Sequence, residues 1–173
     1  MIWFWYFTAY SFFGFLLEII YSRVTGGHPQ RKCLLVLPLC PVYGLGACAI
    51  VFAAKPLHSI PALLLCGGLI ATAAEYLTAV FYEKVLGVSF WDYQDLPWNL
   101  HGRICLPFSL VWAGLTLPLV WYVHPALAPI LSALPQPLGV CFLLTVCCDG
   151  LTSALLLRHH RHRDCLNWYQ STI

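Results

Sequence analysis

The stretch HSIPALLLCGGLIATAAEYLTAVFY, residues 58–82, decides the fold, because it is apolar throughout and carries one formally charged side chain, Glu75. A helix crossing a bilayer needs about 20 predominantly apolar residues to traverse a hydrocarbon core ~30 Å thick. This segment is long enough, and a carboxylate near its middle is costly unless it faces a bundle interior or a watery cavity. Working outward, four further segments have the same character: residues 1–22, 34–54, 104–123 and 137–157. The whole chain of 173 residues is 60% hydrophobic and 9% charged. Soluble domains carry about 25% charged residues, so the expectation is an all-α polytopic membrane bundle of about five spans forming one integral membrane domain.

Two more spans contain acids, Glu18 in the first and Asp149 in the fifth. The basic residues orient the set. Arg23, Arg31, Lys32, Lys84, Arg103, Arg158, Arg161 and Arg163 would all fall on one side of a five-span threading, leaving Lys55 on the other. The positive-inside rule makes that side cytoplasmic. The reading is an N-terminus outside, a cytoplasmic loop over residues 84–103 and a basic cytoplasmic tail over 158–173, in the cell (cytoplasmic) membrane. The N-terminal run lacks a basic n-region and a small-residue cleavage site, and is expected to stay as the first span. Lys55-Pro56-Leu57 forms a tight turn between spans two and three, and the prolines of HPALAPILSALPQP, residues 124–137, suggest an interfacial loop.

At 1.5 Å per helical residue, Glu18 lies roughly 6 Å, and Glu75 and Asp149 roughly 13 Å, from the cytoplasmic ends of their spans. Polar or small stripes recur at helical spacing: Ser11, Gly14, Glu18 and Tyr21; Thr72, Glu75, Ala79 and Tyr82; Cys105, Ser109, Trp112 and Thr116; Thr145, Asp149, Thr152 and Ser153. Lipid cannot satisfy them, so they should face one another. Ser11, Thr116, Thr145 and Ser153 read as interhelical hydrogen-bonding glue, whereas intramembrane acids mark functional sites by default. Glu18 either works in the site or pairs with Arg23 at the interface. Pro38, Pro41, Gly44 and Gly46 interrupt span two. They imply either a proline kink or a broken helix of the kind that forms transporter sites.

The strings TAYSFFGFLLEIIYS, PLCPVYGLG, EYLTAVFYEKVLG and WDYQDLPWNLHGRICLPFSLVWAGL, with His124-Pro125 after them, together resemble the ABC-transporter type IV (CmpB-like) integral membrane family over about residues 4–126. The resemblance implies a multi-pass membrane protein. By motif it points to Glu18, Pro41, Tyr43, Gly44, Glu75, Glu83, Trp91, Asp92, Tyr93, Asn99, Gly102, Arg103 and Cys105. The family has Gly-Pro where this chain has Leu37-Pro38.

The candidate substrate- or ion-binding set is therefore Glu18, Tyr43, Glu75, Asp92, Asn99, Arg103, Cys105 and Asp149. Arg103 either neutralises Glu75 or Asp92, or holds a phosphate or carboxylate in its fork. His159, His160, His162 and Cys165 match no closed metal site, and their juxtamembrane position suits anionic lipid better. No metal or cofactor is predicted. Cys40, Cys48, Cys66, Cys105, Cys141, Cys147 and Cys148 read as soft packing residues.

Three functions fit. The first is a transporter or permease component for a small or amphiphilic substrate. It has no G-x-x-x-x-G-K-[ST] loop of its own, so a separate ATPase subunit would dock at residues 84–103. The second is a membrane enzyme acting on a lipid or amphiphile at the inner leaflet, with Glu75 and Asp149 exchanging protons, Arg103 positioning a head group and Cys105 as nucleophile. The third is a non-catalytic sensor or scaffold. Enzymatic activity is left open. Membrane lipids are expected partners and nucleic acid is not, since no basic patch forms. Gly44 and Cys48, a small-xxx-small pair, suggest a homo-oligomer.

Overall fold

The computed structural model describes residues 1–26 and 33–166. Six α-helices carry the fold: α1 (Ile2–Val24), α2 (Pro41–Ala54), α3 (Ile60–Phe81), α4 (Leu106–Pro118), α5 (His124–Ser132) and α6 (Gln136–His160). A wide π turn, Tyr82–Leu86, extends α3, and another, Leu119–Val123, joins α4 to α5 without a break. Among the described residues four continuous helices are thus long and apolar enough to cross a membrane: Ile2–Val24, Ile60–Leu86, Leu106–Ser132 and Gln136–His160. Leu45, Phe52, Leu65, Leu69, Leu110 and Leu144 are more than half exposed on the bundle exterior. Such a surface suits lipid, and this is a helical membrane protein.

Every helix after α1 begins with proline in its first turn. At the free starts of α2, α3, α4 and α6 the missing N–H has no intrahelical acceptor to lose and the fixed φ is already helical, whereas Pro125 lies inside the continuous helix Leu106–Ser132. This corrects the expected interfacial loop at 124–137. Pro125 opens α5, and the preceding π turn gives the proline ring room, so helix continues to Ser132. Only residues 133–135 separate α5 from α6.

Span two departs from expectation in the opposite way. Residues 34–40 are not helical, and α2 starts only at Pro41. Its fourteen residues measure about 21 Å, too short to cross alone. Two prolines three residues apart remove amide donors and favour extended backbone before each ring. A fifth crossing would therefore combine the extended segment with α2.

Helix α2 packs antiparallel on α1. Gly14 abuts the Tyr43 ring, Gly44 abuts Ser11 and Phe7, and the Cys48 thiol lies 3.9 Å from the Trp3 carbonyl. The Gly44/Cys48 pair, read from sequence as a self-association motif, thus packs α2 onto α1 within the chain. Helix α4 returns along α3, with Gly67 against Thr116 and Gly68 against Ala113. Helix α6 runs from Met1 and Trp5, which touch Gly139, to the end of α3, where Leu157 is fully buried. That end holds an apolar core of Tyr82, Leu86, Val88, Phe90, Leu157 and Leu166. The bundle is consequently solid at one end and hollow in the middle.

Arg31 and Lys32, two of the eight residues used for orientation, lie outside the described residues, as does the tail beyond Leu166.

Candidate functional site

The hollow is a cavity of about 500 Å³ between α1, α2, α3 and α4. Glu18, Tyr43 and Glu75 line it, joined by Cys40, Trp91, Tyr93 and Trp112. On one wall the Tyr43 hydroxyl donates to Glu18 Oε1 at 2.6 Å. Across from it, Glu75 is 6% exposed and accepts two hydrogen bonds, from the Tyr93 hydroxyl to Oε1 at 2.8 Å and from Trp112 Nε1 to Oε2 at 3.1 Å. Tyr43 and Trp112 meet edge to face at 5.5 Å, linking the two walls. The rest of the lining is mostly aliphatic or aromatic.

In the sequence Trp112 falls on a polar stripe and Tyr93 in a motif, and neither belongs to the candidate binding set. The signal was present for Trp112, since an indole N–H at membrane depth requires an acceptor. Tyr93 was harder to find because it comes from the loop rather than from a span. Burial, with the Glu75 carboxylate as the next cause, holds its phenol well above the usual tyrosine range, so Tyr93 remains a donor.

The loop explains why the WDY and N-L-x-G-R strings look as they do. Asp92 Oδ1 accepts the Gln94 amide at 2.9 Å, and Asn99 donates to the Gln94 and Leu96 carbonyls at 3.1 and 2.9 Å. Asn99 Oδ1 also accepts the Gly102 amide at 3.1 Å. A short hairpin, β1 (Asn99–Leu100) with β2 (Ile104–Cys105), turns through His101 and Gly102, both with positive φ. A Cβ at Gly102 would collide with Asp92, and the mirror-image turn favours glycine. The Gly102 carbonyl then accepts the Tyr93 amide at 2.7 Å, and the Tyr93 ring stacks on Phe108 at 5.1 Å. Asp92 and Asn99 are therefore the internal bracing that aims Tyr93 at Glu75.

Arg103 has a different partner from the two anticipated. Its Nε and Nη2 donate to Glu83 Oε2 at 2.9 and 2.6 Å, and Nη1 donates to the Tyr76 hydroxyl at 3.2 Å. Glu75 is held by the Tyr93 and Trp112 donors instead, and Asp92 is turned into the loop. Cys105 is 1% exposed at the start of α4 and does not line the cavity.

Asp149 does not meet the other two acids. It accepts the amides of Val36 and Leu37 at 3.0 and 2.7 Å and the Ser153 hydroxyl at 3.1 Å. The proline-broken entry to α2 exposes backbone donors that lipid cannot satisfy, and Asp149 accepts them. The intramembrane acid and the interrupted span, read separately from sequence, are two halves of one structural feature. In the tail, His162 lies 3.4 Å from Asp164. Among the described residues no three metal-ligating side chains converge.

An apolar helical bundle of this kind defines a polytopic membrane protein. The chain belongs to the family described as "Putative ABC-transporter type IV", whose profile matches residues 5–153. The match reaches beyond the loop motif into α6 and includes Asp149. Comparisons with curated proteins and with solved structures returned no match.

Proposed function

We propose that this protein is the membrane-spanning component of a transporter-type system and that its central cavity holds a small or amphiphilic solute. The observation that carries this reading is the cavity itself, about 500 Å³ with Glu18 and Glu75 set among aromatic and aliphatic walls. That is the volume and lining typical of ligand sites, where a few polar groups orient a mostly apolar molecule. Family membership supports a transport role and association with an ATPase subunit. The loop at 84–103 is the docking face in this reading, because its backbone is braced by side chains rather than by lipid-facing helix. Charge bias supports an extracytoplasmic N-terminus and a cytoplasmic C-terminus, in the cell membrane.

The second reading, a sensor or an enzyme for an amphiphile, draws on the Tyr10 hydroxyl, 2.7 Å from His124 Nδ1. This contact ties α1 to α5 at the end of the cavity nearer Met1, where Tyr10 forms part of the lining and an aqueous exit would be needed. Native mass spectrometry of protein extracted in a mild detergent tests both. A retained adduct, lost when Leu115→Trp fills the cavity, supports a ligand site; no adduct in either protein counts against one. Movement of that ligand across proteoliposomes supports transport, and retention without movement supports the second reading.

A further inference from the structure

We propose that the cavity selects an organic cation carried on an apolar body, admitted from the bilayer between α1 and α4; the proposal rests on the ligand-holding role proposed above.

The charge argument comes first. Among the described residues two carboxylates line the cavity and no lysine, arginine or histidine does. Among the described residues, the ion pairs are Arg103 with Glu83 and His162 with Asp164, so neither Glu18 nor Glu75 has a cationic partner. The groups that do contact them, Tyr43, Tyr93 and Trp112, are neutral donors. A carboxylate offers about four acceptor positions, so each acid retains capacity. Buried charge without a counter-charge is costly. A bound cation would supply the missing counter-charge and an anion would add repulsion, whereas a neutral amphiphile would leave the acids to carry their protons.

The walls specify the kind of cation. Tyr43, Trp91, Tyr93 and Trp112 line the same cavity as the two acids, and aromatic rings attract ammonium-type cations most strongly when water is excluded. The remaining lining is aliphatic, which favours a cation with apolar substituents over a hydrated metal ion.

The route follows from the α1–α4 gap. Tyr21 and Phe108 touch at 5.9 Å at one end, and Tyr10 meets His124 at the other. Between these contacts the cavity is lined by Leu16, Leu17, Ile20 and Leu115, which are also exposed on the bundle exterior. The opening therefore faces the place where lipid would lie.

The test compares two ions of the same shape and opposite charge, tetraphenylphosphonium and tetraphenylborate, with purified protein in dodecylmaltoside, which contributes no cationic group. Saturable binding of the phosphonium, with the borate at least tenfold weaker, is expected. Glu18→Gln with Glu75→Gln should weaken the phosphonium about tenfold or more, the size of a desolvated cation–π and charge contribution. Leu115→Trp, which leaves both acids in place, should weaken it too, covering the case in which the double variant fails to fold. Tetramethylammonium, the same charge without the apolar body, should not compete at concentrations that saturate the phosphonium. Borate binding as tight as phosphonium overturns the charge assignment while leaving a ligand site standing. Equal competition by tetramethylammonium overturns the apolar requirement and the bilayer route. Saturable binding of neither tetraphenyl ion overturns the cation proposal, while the retained-adduct measurement above decides separately whether the cavity holds a ligand.

Discussion

Asp149 and Glu75 look alike in the sequence, each a lone acid in an apolar run, yet their surroundings divide them. Asp149 ties three donors together, two of them backbone amides of the broken segment before α2. Removing the acceptor with Asp149→Ala should cost about 1–3 kcal/mol for each amide left unpaired. Asp149→Asn keeps one carbonyl acceptor and should cost less. Thermal unfolding in detergent should rank the proteins wild type, Asn, Ala, and an Ala variant as stable as wild type would remove the capping role. Glu75 faces open volume and takes its hydrogen bonds from the cavity wall. The neighbouring Tyr93 phenol is raised above its usual range of about 10, chiefly by burial and next by Glu75. As pH rises toward 10, exposed tyrosines ionise while Tyr93 stays protonated. Absorbance titration at 295 nm should therefore be the same for wild type and Tyr93→Phe up to that pH. A missing phenolate in the variant would contradict the buried hydrogen bond to Glu75.

Among the elements, the β1–β2 hairpin governs the site from outside the membrane helices. Gly102 has φ of 69° and sits against Asp92 and Gln94. Gly102→Ala would incur the left-handed penalty of about 1–2 kcal/mol and force Asp92 away. Hydrogen exchange should then rise over residues 92–103 while α3 and α4 stay protected, and Tyr93 should lose its hold on Glu75. Uniform exchange with wild type would mean the turn does not brace the loop. The interface between α3 and α4 is a second element-scale dependence. Gly67 lies directly against Thr116, with no room for a Cβ, so Gly67→Leu should separate the helices and lower the unfolding temperature by several degrees. An unchanged midpoint would mean that the contact tolerates a side chain.

For the whole molecule, orientation is the property on which function depends. A C-terminal fluorescent-protein fusion should glow, and an N-terminal one exported in the unfolded state should not. The reverse result would invert the charge-based assignment. The membrane class and most helix positions were legible because lipid imposes length and apolarity on each span by itself, without reference to its neighbours. Residues 58–82 needed no tertiary information to be read as a crossing. The motif strings likewise pointed to the family and to Glu18, Tyr43 and Glu75, which line one cavity. The rest depended on contacts between residues far apart in the chain. That α2 begins only at Pro41, that Asp149 serves amides 112 and 113 positions away, that Arg103 pairs with Glu83, and that the loop sends Tyr93 to Glu75 all follow from which groups lack partners once the helices pack. A sequence shows which polar groups need satisfying in lipid. Packing decides which partner is within hydrogen-bonding distance, and so which acids brace the fold and which face the cavity.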